Sequence, residues 1–219
     1  MIQTVIFDMD GVIVDTEPVH KYAYHQHFKL LGIDILPEYY ATFTGNSTRN
    51  IFERLKLEFE LKDDVKTLVE TKRNLFNDAF DNKEDLCLLE GVEALIKELY
   101  TKEMQLVLAS SSSKVTIEKI FNRFKLHPYF THIVSGEDFP KSKPHPAIFE
   151  YAAKVSGTSL DRCVVIEDST NGIKAAKAAG IYCIGYDSVH SKLQDYSLAD
   201  TIISDFNELS YNKIREIKA

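Results

Sequence analysis

The sequence predicts an α/β fold: a doubly wound parallel sheet, interrupted early by an all-helical insertion. Three observations predict it. Short apolar runs alternate with stretches of helical period, as in strand–helix–strand crossovers. Several runs end abruptly in acidic or hydroxyl residues, and ligands of open α/β sheets bind beyond such strand ends. Between the first run and the others lies a long segment of helical spacing with few β-branched runs.

Val5, Ile6 and Phe7 form the first strand, closed by Asp8, Met9, Asp10 and Gly11. Val19, Tyr22, Ala23 and Leu30 then fall near helical spacing and stop before Gly32. Ile51, Phe52, Leu55 and Phe59 repeat the pattern after Asn46 and Ser47, a plausible cap. Leu68, Leu75, Phe76 and Ala79 mark a third helix. Residues 16–87 read as an inserted helical domain, and residues 1–15 with 88–219 as the core.

In the core, Val92, Leu95, Ile96, Leu99 and Tyr100 give the stripe of an amphipathic helix. Leu106 to Ala109 form a strand that stops in Ser110 to Ser113. Ile117, Ile120, Phe121 and Phe124 mark the next helix, and Ile133 with Val134 a short strand. Ile148, Phe149, Ala152 and Val155 mark a helix beginning after Pro144 and Pro146. Val164, Val165 and Ile166 form a strand ending in Glu167 and Asp168. A helix with Ile173, Ala176 and Ala179 stops at Gly180, a C-terminal stop signal. Tyr182 to Ile184 and Thr201 to Ile203 complete the sheet.

Composition narrows the function. The 219 residues, 44% hydrophobic and 27% charged, suffice for a substantial core without staples. A net charge of −7 argues against sequence-independent binding to nucleic acid or to an acidic membrane surface. No apolar run reaches membrane-spanning length. Three unpaired cysteines, Cys87, Cys163 and Cys183, suggest reduced thiols and a cytoplasmic setting. The last two sit in apolar runs, where packing is the expected role.

In a parallel sheet the ends of the first strand, of the strand before Ser110 and of the strand before Glu167 share one edge. Asp8 suits a nucleophile, because an ionised carboxylate needs no activating base and can form an acyl phosphate. Asp10 suits a proton donor and acceptor. Asp168, and Glu167 beside it, would complete the oxygen ligands of a magnesium ion. Ser110, through its hydroxyl, and Ser111, through its backbone N–H, suit phosphate oxygens; the serine run also reads as a helix cap. Lys143, fixed by the following Pro144, is either the cation for that phosphate or a solvated surface lysine. Alone, the acidic pair after the first strand reads equally well as a solvated loop.

Four stretches carry a resemblance: DMDGVIVDTEP from Asp8 to Pro18, VLASSS ending at Ser112, SKPHPAIF from Ser142 to Phe149, and VIEDSTNGIKAAKAAG from Val165 to Gly180. Together they resemble the haloacid dehalogenase superfamily, in the branch of β-phosphoglucomutases and small-molecule phosphatases. The resemblance implies a Rossmann-like core with a helical cap inserted after the first strand. It implies Asp8 as the phosphorylated nucleophile and Asp10 as acid/base. It also implies Mg2+ held by Asp8, the Asp10 carbonyl and Asp168 with Glu167 in support, and phosphate held by Ser110 and Lys143. Thr16 and His20 match cap-hinge positions; His20 either orients Asp10 or is an ordinary polar residue of the first cap helix.

Thr44 to Arg49 resembles the cap loop that faces the site. Thr44 stands where the mutase pattern has a lysine, and Arg49 lies one residue later than its arginine. That departure favours a magnesium-dependent phosphatase of a small phosphorylated metabolite over a sugar phosphomutase, with Arg49 expected to touch substrate. The intact core set argues against a silent binding module. A monomer is expected.

Overall fold

The computed structural model describes residues 1–187 and 193–218. Six strands form one parallel sheet: β1 (Thr4–Phe7), β2 (Gln105–Ser110), β3 (His132–Ser135), β4 (Cys163–Glu167), β5 (Tyr182–Tyr186) and β6 (Thr201–Ile203). Their order is β3-β2-β1-β4-β5-β6. Phe7 stands level with Leu108 on one side and Ile166 on the other, so the ends of β1, β2 and β4 are neighbours. The chain winds outward in both directions from the centre of this sheet, and the crevice at such a reversal is where these folds bind ligands.

The strands read as unbroken apolar runs because both faces are covered. Val5, Phe7, Leu106, Leu108, Val164 and Ile166 pack on one side with α5 (Val92–Thr101) and α6 (Lys114–Phe124). Ile6, Val107, Ala109 and Val165 point the other way, against α7 (Ala147–Ser156) and α8 (Thr170–Ala178). Cys163 and Cys183 lie fully buried on that second face. This is the Rossmann-like α/β architecture expected. No helix among the described residues is long and apolar enough to cross a membrane.

Four helices follow β1 ahead of α5: α1 (Glu17–Leu31), α2 (Pro37–Ala41), α3 (Thr48–Glu58) and α4 (Val65–Asp81). They hold a cluster of their own, built around Tyr24, Phe28, Phe43, Phe52, Leu55 and Leu68. Local signals set the helix ends. Ser47 accepts a hydrogen bond from the Asn50 amide, and Gly32 closes α1 in the left-handed conformation with φ of 67°.

The face of α1 differs from expectation: Tyr22 and Leu30 are 54% and 72% exposed. Val19 and Ala23 are buried as expected, and Tyr24, His27 and Phe28 complete the stripe, because they meet the aromatic rings of α3 and of Phe43. Similarly Phe59 falls at the C-cap of α3, partly exposed. Two elements escape the periodicity, α2 and α9 (Tyr211–Arg215), each too short at five residues to show a stripe.

The helical segment sits on the sheet edge through polar contacts. Ser111 Oγ donates to the Gly45 carbonyl and Asn171 Nδ2 to the Thr44 carbonyl, both at 2.9 Å. Asn50 Nδ2 donates to Ser142 Oγ at 2.6 Å, and Arg73 of α4 pairs with Glu137 at 2.6 Å. Gly45 has φ of 77°, and a Cβ there would lie 2.3 Å from Ser169 Oγ, so only glycine allows this approach.

Candidate active site

Asp8 follows β1 directly, delivered by a strand with no exposed side chain. Its amide donates to the Ile166 carbonyl of β4 at 3.0 Å, which fixes the backbone at the sheet edge. Lys143, expected either as the phosphate cation or as a surface lysine, is 1% exposed. Its ammonium donates to Asp8 Oδ1 at 2.6 Å, to Glu167 Oε1 at 2.7 Å and to the Ala109 carbonyl at 3.1 Å. It also lies over the Phe149 ring at 4.7 Å. Three strands and the start of α7 therefore meet at one buried cation.

Charge at this point is unbalanced. Burial raises the Asp8 carboxyl, Lys143 pulls it back, and Glu167 and Asp10 raise it again, leaving it at about 7. Burial disfavours the Lys143 charge, but Asp8 and Glu167 more than offset this and hold it above the usual lysine value. Glu167 is spoken for: its second oxygen accepts from the Ser169 amide and hydroxyl, each at 2.9 Å.

Asp10 lies in a different setting. Thr16 and His20 donate to its Oδ1, the latter at 3.3 Å, while Ser112 and Ser110 donate to Oδ2 at 2.7 and 3.4 Å. Burial alone would raise this carboxyl; the bonds from His20, Thr16 and Ser112 outweigh it and bring it down to about 2. His20 is held in turn by Lys72, whose Nζ is 2.7 Å from Nδ1. Burial and the adjacent Lys72 both lower the His20 value. Lys72, 2% exposed between the Tyr24 and Phe76 rings, is lowered by burial to about 7, against the pull of Asp10 and Glu17.

One cavity of about 80 Å³ joins these groups beneath the helical segment, a space fit only for a small molecule. Asp8, Asp10, His20, Ser111 and Asp168 line it. Thr16, Ser110, Lys143 and Glu167 do not line it; they contact the side chains that do, or each other. Arg49 departs from expectation. It is exposed and does not line the cavity, where α3 contributes Thr48 and Ile51.

Sequence reasoning missed Ser112, Glu17, Tyr40, Lys72 and Arg73, all lining the same space. Ser112 was legible as part of the serine run. The others sit among ordinary polar helix positions and carry no local signal.

The donors suit a hard cation. Asp8 and Asp168 present carboxylates to the cavity, and Lys143 leaves the cluster with excess negative charge. The Asp10 carboxylate is occupied by hydroxyls and His20. Among the described residues no three His, Cys, Asp or Glu side chains form a ready-made metal cluster. A Cβ on Gly11 would lie 2.1 Å from Asp168 Oδ2, so the glycine at φ of 83° lets that carboxylate close onto the β1 loop.

A parallel sheet with opposed carboxylates at its switch point, backed by a buried lysine and covered by inserted helices, defines an α/β enzyme built to handle an anionic group. The chain belongs to the haloacid dehalogenase-like hydrolases, whose family model matches residues 5–186. It is 31% identical over 193 residues to the phosphorylated carbohydrates phosphatase of Thermotoga maritima, spanning 86% of each chain. It superposes on the CbbY structure from Rhodobacter sphaeroides in complex with phosphate with a TM-score of 0.86, at 26% identity and 99% and 100% coverage. The beta-phosphoglucomutase structure from Clostridium difficile gives 0.85, again at 26% identity, with 99% and 96% coverage. These relationships make the chain a phosphohydrolase of the phosphoglucomutase-like branch.

Proposed function

We propose that the protein is a magnesium-dependent phosphatase of small phosphorylated metabolites, sugar phosphates among them, working through an aspartyl phosphate on Asp8. The observation that carries this reading is Lys143 Nζ, 2.6 Å from an Asp8 carboxylate that faces the cavity beside Asp10 and Asp168. An Asp8 oxygen attacks phosphorus, and the bond to the leaving oxygen breaks as Asp10 supplies its proton. Water then attacks the phosphoryl group and loses its proton to Asp10; the acyl-phosphate bond breaks, restoring the Asp8 carboxylate and releasing phosphate.

Asp8, Asp168 and the Asp10 carbonyl would hold Mg2+, which supplies charge neutralisation of the phosphoryl oxygens. Lys143, with the Ser110 hydroxyl and the Ser111 amide, stabilises the same charge from the protein side, and Glu167 holds the lysine in place. Thr16 and His20 orient Asp10. Residues 16–87 act as a cap that limits water at the site. On this reading the enzyme works as a monomer in the cytoplasm, without nucleic acid or membrane.

The likeness to beta-phosphoglucomutase supports a second reading, a sugar phosphomutase in which a sugar hydroxyl replaces water. A panel of phosphorylated metabolites, scored for both phosphate release and isomer formation, separates the two. Steady phosphate release that Asp8→Asn abolishes is the expected result. Isomer formation without net release would favour the mutase, and full activity in Asp8→Asn would remove the nucleophile assignment.

A further inference from the structure

On the wall built by the inserted helices, Glu17 and Tyr40 meet: Tyr40 Oη donates to Glu17 Oε1 at 3.1 Å. Both line the cavity that holds Asp8 and Asp10. Tyr40 is the only hydrogen-bond partner of Glu17 among the described residues, so the second carboxylate oxygen keeps its full capacity to accept. Burial pushes the Glu17 carboxyl up to about 7, so above neutrality it stands on the wall of the substrate space as a carboxylate that accepts from O–H donors and disfavours anions.

The cations of the same wall are already engaged. Lys72 is bonded to His20 at 2.7 Å, and Arg73 to Glu137 at 2.6 Å. Each is held in place by that bond. Arg49, the remaining cation of the facing loop, does not line the cavity.

Resting on the phosphatase reading, we propose that Glu17, positioned by Tyr40, determines specificity by accepting a substrate hydroxyl, so that the preferred substrates are small monophosphates with a neutral, hydroxyl-bearing body. Bisphosphates and phosphorylated carboxylic acids are disfavoured by the same carboxylate.

The test is a comparison of kcat/KM, above neutral pH, in wild type, Glu17→Gln and Tyr40→Phe with glycerol phosphate, phosphoglycolate, fructose bisphosphate and the hydroxyl-free acetyl phosphate. Wild type should prefer glycerol phosphate to the two alternatives carrying a second anionic group. Glu17→Gln should lose about tenfold more with glycerol phosphate than with acetyl phosphate, chiefly in KM, as expected for one charge-assisted hydrogen bond made neutral. Its preference for phosphoglycolate over glycerol phosphate should rise by a similar factor. Tyr40→Phe should move both ratios the same way by less, and it preserves the readout if Glu17→Gln folds poorly.

Equal losses with glycerol phosphate and acetyl phosphate in both variants would make the pair structural and overturn the proposal. So would a wild-type preference for phosphoglycolate or the bisphosphate. Turnover of acetyl phosphate with no such selectivity leaves the phosphatase reading standing alone; no turnover of any phosphate removes both.

Discussion

Lys143→Met replaces the buried ammonium with an apolar side chain of similar length. It strips Asp8 and Glu167 of a cation at 2.6 and 2.7 Å and leaves the Ala109 carbonyl short of a donor. Removing one partner of a buried ion pair costs about 3–5 kcal/mol, because the remaining charge is stranded. Glu167 keeps its two bonds from Ser169, so most of the loss falls on Asp8. The sign with pH follows from Asp8, raised from 3.8 to about 7. A carboxyl raised on folding binds protons more tightly in the native state, so its contribution to stability is full below 3.8 and is lost as pH rises through about 7. Without Lys143 the native value climbs further, and the loss extends to higher pH. Denaturation in EDTA should therefore show the variant weakest above neutrality, with the deficit shrinking as pH falls. In the magnesium-loaded enzyme kcat/KM should drop about 10²–10³-fold, the usual effect of removing one stabiliser of transition-state charge. A stability loss below about 1 kcal/mol at every pH, with kcat/KM within about threefold, would refute the assignment of Lys143 to this cluster.

Asp10→Asn keeps hydrogen-bonding partners for Thr16 and Ser112 but cannot exchange protons. Its thermal transition should stay near wild type while turnover falls about 10²–10⁴-fold, measured as phosphate release. Magnesium affinity should weaken as pH falls below about 7, because protons compete for Asp8. Calorimetric titration at several pH values checks this; affinity unchanged from neutral to mildly acid pH would exclude Asp8 as a ligand.

The readability of the sequence tracked the range of the forces involved. Val5 to Phe7, Leu106 to Ala109 and Val164 to Ile166 were legible as strands because burial on both faces leaves no alternation to misread. Their polar ends were legible for the same reason, since a charged residue that closes such a run stands out. The adjacency of β1, β2 and β4 is a property of sheet order, which short-range patterns only imply. The fate of Lys143 was hidden more deeply. Pro144 marks a fixed turn, yet nothing local separates a lysine that snorkels to water from one enclosed by Asp8, Glu167 and Phe149. Arg49 shows the reverse: its loop resembles a substrate loop, yet it does not line the cavity, while Arg73 of α4 does, from a segment with no local signal.

Asp8 and Asp10 stand two residues apart and are pushed in opposite directions, one to about 7 and the other to about 2. Environments that separate two such carboxyls commonly divide their roles. Asp8 takes its charge balance from the core, through Lys143. Asp10 takes its own largely from the inserted segment, through Thr16 and His20 and, behind His20, Lys72. A carboxyl at about 2 is in its base form, ready to take a proton from water in the second half-reaction. Serving as acid in the first half requires that value to rise, and a phosphoryl group entering the cavity beside it adds the negative charge that raises it. On the proposed mechanism, substrate phosphate arms the acid, and giving the proton to the leaving oxygen returns Asp10 to the base form that water then meets. On that mechanism, Thr16 and His20 thus belong to the segment that covers the cavity and also hold the carboxyl that relays the proton.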